Sequence, residues 1–383
     1  MTEPVLSDEQ EALRSSARAF LRRACPPELV RRAGTPGGEG HDADLWRGMA
    51  DLGWVGLAFP GSVGGGGGDA LDLAVLYEEA GRALVPTTLY STVEGALLID
   101  RAGDDAQRAG LLPPVLAGDC IVSVARHEVG TPSSPDSLST TAVVKGDDVL
   151  LEGTKLFVPN AGVADDLVVV ARDPATSGAG AARLVVVPTD APGLRRSRLA
   201  TFAHDAQHEV SLEAVRVPVN GILAGPTDAW SAAEGVRRLA TALHCVEMVG
   251  GAREVLDLTV RYVTDRTQFG RPIGSFQAVQ HHVADVSTRV DAAGLAAWQA
   301  VWRCSLGNAD TAAGEVEAQV AIAKVAAGDA YVEATLMAHQ LHGGIGFTVE
   351  HDLHLWSDRA RAAALTFGSR DDHLRTLGSL IAQ

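Results

Sequence analysis

Apolar residues at the start of the chain recur at helical spacing. Leu6, Leu13, Ala17, Phe20 and Leu21 fall on one face when wound at about 3.6 residues per turn. Ser7 followed by Gln10 reads as a capping box that opens this helix. The spacing predicts further helices over 42–53 and 69–83. Between them lies GSVGGGGG, residues 61–68, which predicts a flexible surface loop. No strand precedes these glycines, so they do not match a phosphate-cradling turn. From 119 to about 219 the period shortens. IVSVA, TTAVV, VLLEGTKLFV, DDLVVVAR, ARLVVVP and HEVSLEAVRVP are short Val-, Leu- and Thr-rich runs between Gly, Pro and Asp turns. Lys145-Gly146-Asp147-Asp148 fits a hairpin turn, and Pro188, Pro192 and Gly193 punctuate the later strands. Long Ala-rich helical patterns then cover 232–267, 275–305, 309–339 and 353–369, enough for a four-helix bundle. The expectation is an α+β multidomain chain: an N-terminal helical domain over 1–118, a central β domain over 119–225 and a C-terminal helical bundle over 226–383.

Composition narrows the partners. The 383 residues are 46% hydrophobic and 21% charged, a globular mix and more than one hydrophobic core usually serves. Lys plus Arg is 32 and Asp plus Glu 48, a net charge of −16 that repels nucleic acid and anionic lipid. Cys25, Cys120, Cys245 and Cys304 form no C-x-x-C pair and read as small buried hydrophobes in a reducing compartment. The charged N-terminus and the absence of an 18-residue apolar run predict no secretion signal, no membrane span and a cytoplasmic location.

Nucleophile and metal patterns are incomplete. Around Ser62 a G-x-S-x-G sequence fails because Pro60 holds the first glycine place. His339 with His342, and His351 with His354, have ligand-like spacing, but no H-E-x-x-H occurs. Solvated or capping histidines at helix ends are the expectation, with no metal site.

The chemistry-bearing signal is in the bundle. Arg266-Thr267-Gln268-Phe269-Gly270-Arg271-Pro272-Ile273-Gly274-Ser275-Phe276-Gln277 joins two predicted helices, and Gln340-Leu341-His342-Gly343-Gly344-Ile345-Gly346-Phe347 makes a second glycine turn. Both closely resemble motifs of the acyl-CoA dehydrogenase family of flavoproteins. Leu52-Gly53-Trp54-Val55-Gly56-Leu57, Glu78-Glu79-Ala80-Gly81-Arg82-Ala83-Leu84 and the segment 146–160 extend the resemblance over nearly the whole chain. It implies that family's fold, FAD as cofactor, an acyl-CoA thioester as substrate and an electron-transfer flavoprotein or similar acceptor. It also implies a tetramer built through the bundle, either homomeric or with a second acyl-CoA dehydrogenase subunit. By the same resemblance Arg266, Gln268, Phe269, Gln277, Gln340, Gly343 and Gly344 hold the ADP half of FAD across a subunit interface, with Phe157 and Ser369 near the flavin. The residue types suit the task. A guanidinium forks onto phosphate, and glycines let backbone N–H groups approach an anion.

The departures from the family are equally specific. Its chemistry removes an α-proton with a carboxylate while hydride leaves the β-carbon for the flavin. Most members place that Glu in Tyr-Glu-Gly-Thr, where this chain has Thr366-Phe367-Gly368-Ser369. A minority place it 26 residues before the motif's Arg, which here is Ala240. The flavin-lining segment becomes Arg126-His127-Glu128-Val129-Gly130-Thr131-Pro132, and the Trp-Ile-Thr becomes Phe157-Val158-Pro159. The chain thus resembles the base-less subunit of actinobacterial heteromeric acyl-CoA dehydrogenases, which act on bulky thioesters such as shortened steroid side chains. Glu247, two turns beyond Ala240 and roughly 10 Å along the axis, is the candidate relocated base. Its bland alternative is a buried group paired with an Arg such as Arg253. His244 shares that face, and Glu128 is a further carboxylate candidate. Three readings follow: a partner subunit completing a shared FAD site, a self-sufficient homotetramer using Glu247, and a flavin-free scaffold.

Overall fold

The computed structural model describes residues 6–35, 38–130, 134–203, 205–305 and 313–382. Six helices come first: α1 (Asp8–Ala24), α2 (Pro27–Gly34), α3 (Ala43–Asp51), α4 (Ala70–Arg82), α5 (Thr88–Ala102) and α6 (Asp105–Leu116). Seven strands follow: β1 (Val122–Ala125), β2 (Thr141–Lys145), β3 (Asp148–Pro159), β4 (Asp166–Arg172), β5 (Ala182–Pro188), β6 (Leu194–Leu199) and β7 (Gln207–Pro218). Then come α7 (Ala229–Asp265), the short strands β8 (Thr267–Gln268) and β9 (Arg271–Pro272), α8 (Gln277–Ser305), α9 (Ala313–His342), α10 (Leu353–Leu365) and α11 (Arg370–Ile381). Helices thus stand on either side of a sheet domain in chain order, as the sequence predicts. No helix among the described residues is long and apolar enough to cross a membrane.

The chain divides into two compact units. The first comprises Met1–Arg31, Asp69–Val85 and Arg238–Gln383. The Ser7–Gln10 capping box opens α1 as expected, and a second box, Asp69 with Asp72, opens α4. α4 and α7 cross through paired glycines. A Cβ at Gly81 would lie 2.0 Å from the Glu247 carbonyl, and one at Gly250 2.0 Å from the Glu78 carbonyl. Glu78 is buried there, taking hydrogen bonds from Arg253 and from the Trp298 indole. Glu79 accepts two bonds from Arg18, at 2.7 and 2.6 Å. The predicted helix over 353–369 ends early. α10 stops at Leu365, Phe367 and Gly368 take left-handed φ of 61° and 107°, and Ser369 caps a separate α11. The Ser369-x-x-Asp372 capping box decides this, overriding an apolar spacing that runs on through it. The part of the predicted 309–339 helix over 309–312 lies outside the described residues.

The second unit comprises Arg32–Gly68 and Pro86–Arg237. Its sheet runs β1-β4-β2-β3-β7-β6, with β5 pairing β4. β4 is flanked by β1 in parallel and β5 antiparallel, and its central residues Leu167 to Ala171 are all buried, so it reads as a continuous apolar run. The β2–β3 hairpin turns at Gly146-Asp147, as predicted, with Gly146 at φ 66°. Phe59, Leu98, Ile99, Leu112, Val168, Val170 and Leu184 share one core. The glycine run departs from expectation. It is folded back rather than loose: Gly65, Gly66, Gly67 and Gly68 donate to the carbonyls of Pro60, Gly56, Phe59 and Leu57. A Cβ at Gly65 would sit 2.1 Å from the Phe59 carbonyl, so glycine is needed for that approach. With those amides spent internally, none is left to cradle a phosphate.

Candidate functional site

In the first unit, α7 ends at Asp265 and the chain makes a two-residue hairpin, with Thr267 facing Pro272 and Gln268 facing Arg271. Its tip is Phe269-Gly270, at φ 54° and 80°, the two left-handed residues such a turn demands. A phenylalanine held there costs about 1–2 kcal/mol, yet its ring is 91% exposed. It meets Phe276 edge-on at 6.2 Å, and the Arg271 guanidinium lies 4.1 Å over the Phe276 ring. Arg266 and Gln277 are exposed and form no side-chain hydrogen bond among the described residues. Gln268 spends its amide on the adjacent Thr267 carbonyl, at 2.8 Å.

The second motif stands beside the first, because the Tyr262 ring of α7 stacks on His342 of α9 with centroids 4.2 Å apart. Gln340 is exposed and likewise unengaged among the described residues. Gly343, at φ 62°, and Gly344 are exposed, and a Cβ at either would meet nothing within 4 Å. At Gly346, by contrast, it would lie 2.9 Å from the His342 Cβ. Packing within the chain therefore explains glycine at 346 but not at 344.

Ala240 and Phe367, the two positions that the resemblance matches to the family's base, lie in this unit. Ala240 is a buried methyl on α7. Phe367 stands on its left-handed turn, its ring meeting His244 edge-to-face with centroids 5.7 Å apart. The turn is pinned from two sides: Lys324 of α9 donates to the Ala364 and Gly368 carbonyls at 2.9 and 3.2 Å, and His373 Nε2 lies 3.1 Å from the Phe367 carbonyl. Burial brings the Lys324 ammonium down to about 8. Glu247 is 3% exposed, with Oε2 2.6 Å from His244 Nδ1 and Oε1 3.1 Å from Arg359. Burial alone would raise its carboxyl, but His244 and Arg359 outweigh burial and hold it below the ordinary range. His244 Nε2 faces the Ala363 carbonyl at 3.2 Å, so both ring nitrogens look at acceptors. The partner of Glu247 is thus Arg359 together with His244, while the sequence suggested Arg253, which is engaged by Glu78. Arg359 carries no sequence signal at all, because α10 is brought to α7 only by the fold.

In the second unit Phe157 sits at φ 53° in an irregularity between Lys155 and Val158 and is 59% exposed. Pro159 has no N–H, and its carbonyl accepts from Ser123 at 2.5 Å. Glu128 is locked: it takes bonds from Lys155 at 2.5 Å and from the Ser139 and Thr140 amides at 2.6 and 2.9 Å. Its carboxyl is raised by burial but lowered more by Lys155 and these bonds. His127 is brought down to about 4 by burial and by the nearby Arg126, Lys155 and Arg237 charges. Thr131, Pro132 and Ser133 lie outside the described residues.

The remaining expected residues have other work. The Ser369 hydroxyl is committed to capping α11, where it donates to Asp372 and accepts the Asp372 amide. His339 and His342 are buried in ring stacks instead of solvated, because the turn after α9 folds back over them. Among the described residues no group of His, Cys, Asp and Glu could hold a metal; Cys25 and Cys245 are buried as expected, whereas Cys120 and Cys304 are partly exposed, and none is in a disulfide.

The donor set fits one half of a dinucleotide. An unspent guanidinium, two free carboxamides, an exposed phenyl face and an open glycine pair suit an adenosine diphosphate approached from outside the chain. The flavin-ring half does not fit in the same way. Pro159, which the resemblance matches to the flavin-contacting hydroxyl, has none to offer, and Phe367 and Ala240, which it matches to the base, carry no group that can take a proton.

Comparison with known proteins bears on this arrangement. The chain matches the acyl-CoA dehydrogenase N-terminal domain over residues 7–119, the middle domain over 124–215 and the C-terminal domain over 230–381. It is 31% identical to acyl-CoA dehydrogenase IpdE2 of Mycolicibacterium smegmatis over 373 residues, 97% of this chain and 98% of that one. The ChsE4-ChsE5 complex from Mycobacterium tuberculosis superposes with a TM-score of 0.88 at 25% identity, covering 99% of this chain and 98% of the other. The Tcur3481-Tcur3483 steroid ACAD superposes with a TM-score of 0.85 at 32% identity, covering 98% of each chain.

Proposed function

The chain belongs to the acyl-CoA dehydrogenase family of oxidoreductases, and we propose that it works as the base-less partner subunit of a heteromeric enzyme. In this reading it completes an FAD site that a second acyl-CoA dehydrogenase chain supplies with flavin contacts and base. The reaction is α,β-desaturation of an acyl-CoA thioester, with an electron-transfer flavoprotein or a similar acceptor taking the electrons. When bound, FAD supplies the hydride-accepting ring. Arg266 answers the diphosphate charge, Gln277 and Gln340 offer amide donors and acceptors, Phe269 covers an apolar face, and Gly343 and Gly344 leave room for backbone approach.

One observation carries the proposal: Arg266, Phe269, Gln277 and Gln340 on the ADP side are displayed outward and unspent while the two matched base positions are filled by apolar side chains. A chain that had lost flavin altogether would have no reason to hold Phe269 in a left-handed turn at 91% exposure. Glu247 does not substitute as a base in this reading, because its two oxygens are committed to His244 and Arg359. The ChsE4-ChsE5 complex and the Tcur3481-Tcur3483 steroid ACAD support a two-chain assembly, and the latter's steroid designation suggests a bulky acyl group. The test is co-expression with an acyl-CoA dehydrogenase encoded beside it. The pair should carry FAD and desaturate a thioester, and replacing the second chain's base should abolish turnover with FAD still bound. Turnover that survives that replacement would place the base in this chain.

A further inference from the structure

The turn that carries the open glycines, Gly343–Phe347, is held in place largely by rings. His342, the last residue of α9, stacks on Tyr262 at 4.2 Å and 19°. The Tyr262 hydroxyl donates to the His342 carbonyl at 3.3 Å, the peptide leading into Gly343. His342 Nδ1 lies 2.8 Å from the Ala338 carbonyl and so carries its hydrogen. The ring's edge meets His351 at 4.9 Å. One turn earlier His339 stacks on Phe347 at 4.7 Å and 27°, with Nε2 2.7 Å from the Ser357 hydroxyl of α10. His351 Nδ1 accepts the Leu353 amide at 3.2 Å, which needs a lone pair on that nitrogen. His354 Nδ1 faces the His351 carbonyl at 2.8 Å.

The charges around these rings do little to welcome a proton. His339 faces Arg361 and Asp358 of α10, together with His351. His342 faces His351 and His339, with Tyr262 across from it on α7, and no carboxylate among the described residues. A cation at His342 would stand beside two further imidazoles in a buried site.

We propose that Tyr262, His339 and His342 are positioning residues for the adenosine diphosphate half-site: they dock the Gly343–Phe347 turn while both imidazoles are neutral, and acid undocks it before the bundle unfolds. The proposal rests on the reading that Gly343 and Gly344 receive the cofactor. Burial holds both imidazoles below the ordinary histidine range. The docked state therefore binds fewer protons than the undocked one. Docking is fully stable above about pH 6.5, the ordinary histidine value, and is lost as pH falls below it. Each linked histidine makes opening about tenfold easier per pH unit in that window, so two give up to about 100-fold.

The test is hydrogen–deuterium exchange of the full chain from about pH 7.5 to 5.5, corrected for intrinsic exchange. Protection of Gly343–Phe347 should fall beyond that correction, by no more than about 100-fold, while the buried middle of α8 around Val290 and Ala297 stays protected. The double variant His339→Gln, His342→Asn keeps a hydrogen-bonding amide at each place but cannot titrate, and should flatten the response. A turn whose corrected protection is independent of pH, or a double variant with the wild-type slope, overturns the proposal. If the double variant loses its circular-dichroism signal, each single variant should halve the logarithmic slope, and an unchanged slope in both overturns it as well. FAD retained by the co-expressed complex after gel filtration is read at the same pH values. FAD retention that ignores pH while the turn opens removes the cofactor reading and leaves the clamp. A turn that does not open removes the clamp whatever FAD does.

Discussion

Replacing Glu247 by Gln separates a structural carboxylate from a catalytic one. The carboxylate is 3% exposed and bridges His244 at 2.6 Å and Arg359 at 3.1 Å, and Arg359 is itself buried at 7% exposure. Removing one partner of a buried ion pair costs about 3–5 kcal/mol because the other charge stays behind. A glutamine keeps one acceptor oxygen in place and recovers roughly 1 kcal/mol as a hydrogen bond. The net loss is then about 2–4 kcal/mol, which for a unit of this size lowers its melting temperature by roughly 4–16 °C. Scanning calorimetry measures the shift, and FAD content of the co-expressed complex is read on the same samples. The carboxyl is held below the ordinary Glu range, so its contribution is present above that range and lost as pH falls through the depressed value. The gap between wild type and variant should therefore close in acid. A variant that melts within about 1 °C of wild type, keeps its FAD and loses all turnover would refute the reasoning and make Glu247 the base.

The other predictions use the same geometry. Phe269→Ala removes a ring that is 91% exposed, so the chain's own stability should move by no more than about 0.5 kcal/mol, while FAD loading of the co-expressed complex drops severalfold. Gly344→Ala meets no atom within 4 Å and should melt as wild type does but weaken FAD retention; Gly346→Ala meets the His342 Cβ at 2.9 Å and should cost about 1–3 kcal/mol in urea unfolding. His127, brought down to about 4, is kept neutral by the folded state, so its stabilisation is full above pH 6.5 and lost as pH falls toward 4. Between pH 6.5 and pH 5 this histidine alone should account for about 1.6 kcal/mol of lost stability, so in urea unfolding His127→Gln should shrink the wild-type loss by about that amount.

Much of the fold was legible because its signals are local. The Ser7 capping box, the Gly146-Asp147 hairpin and the period change near residue 119 each involve a few consecutive residues. The end of α10 was missed because the apolar spacing continues past it, and only the Ser369–Asp372 box marks the break. The glycine run misled because composition reports chain freedom and not where the amides go; residues 65–68 spend theirs on carbonyls 56–60. In the site, the hairpin and glycine-turn motifs could be read as short strings, and so could the apolar residues Phe367 and Ala240. The partners of buried charges could not. Arg359 reaches Glu247, and Lys324 reaches the Phe367 turn, across helices whose contacts no spacing predicts. The burial of His339 and His342 came from the same source, since Phe347, Tyr262 and His351 cover them only once the chain is folded.

The flavin absorbance of the purified chain, expressed alone and then with a base-bearing acyl-CoA dehydrogenase chain, tests the central claim most directly. The account predicts a colourless or flavin-poor protein alone, and a yellow complex with the partner whose FAD is lost again when Arg266 and Phe269 are replaced by Ala. A protein that alone carries one FAD per chain and desaturates an acyl-CoA thioester would contradict it.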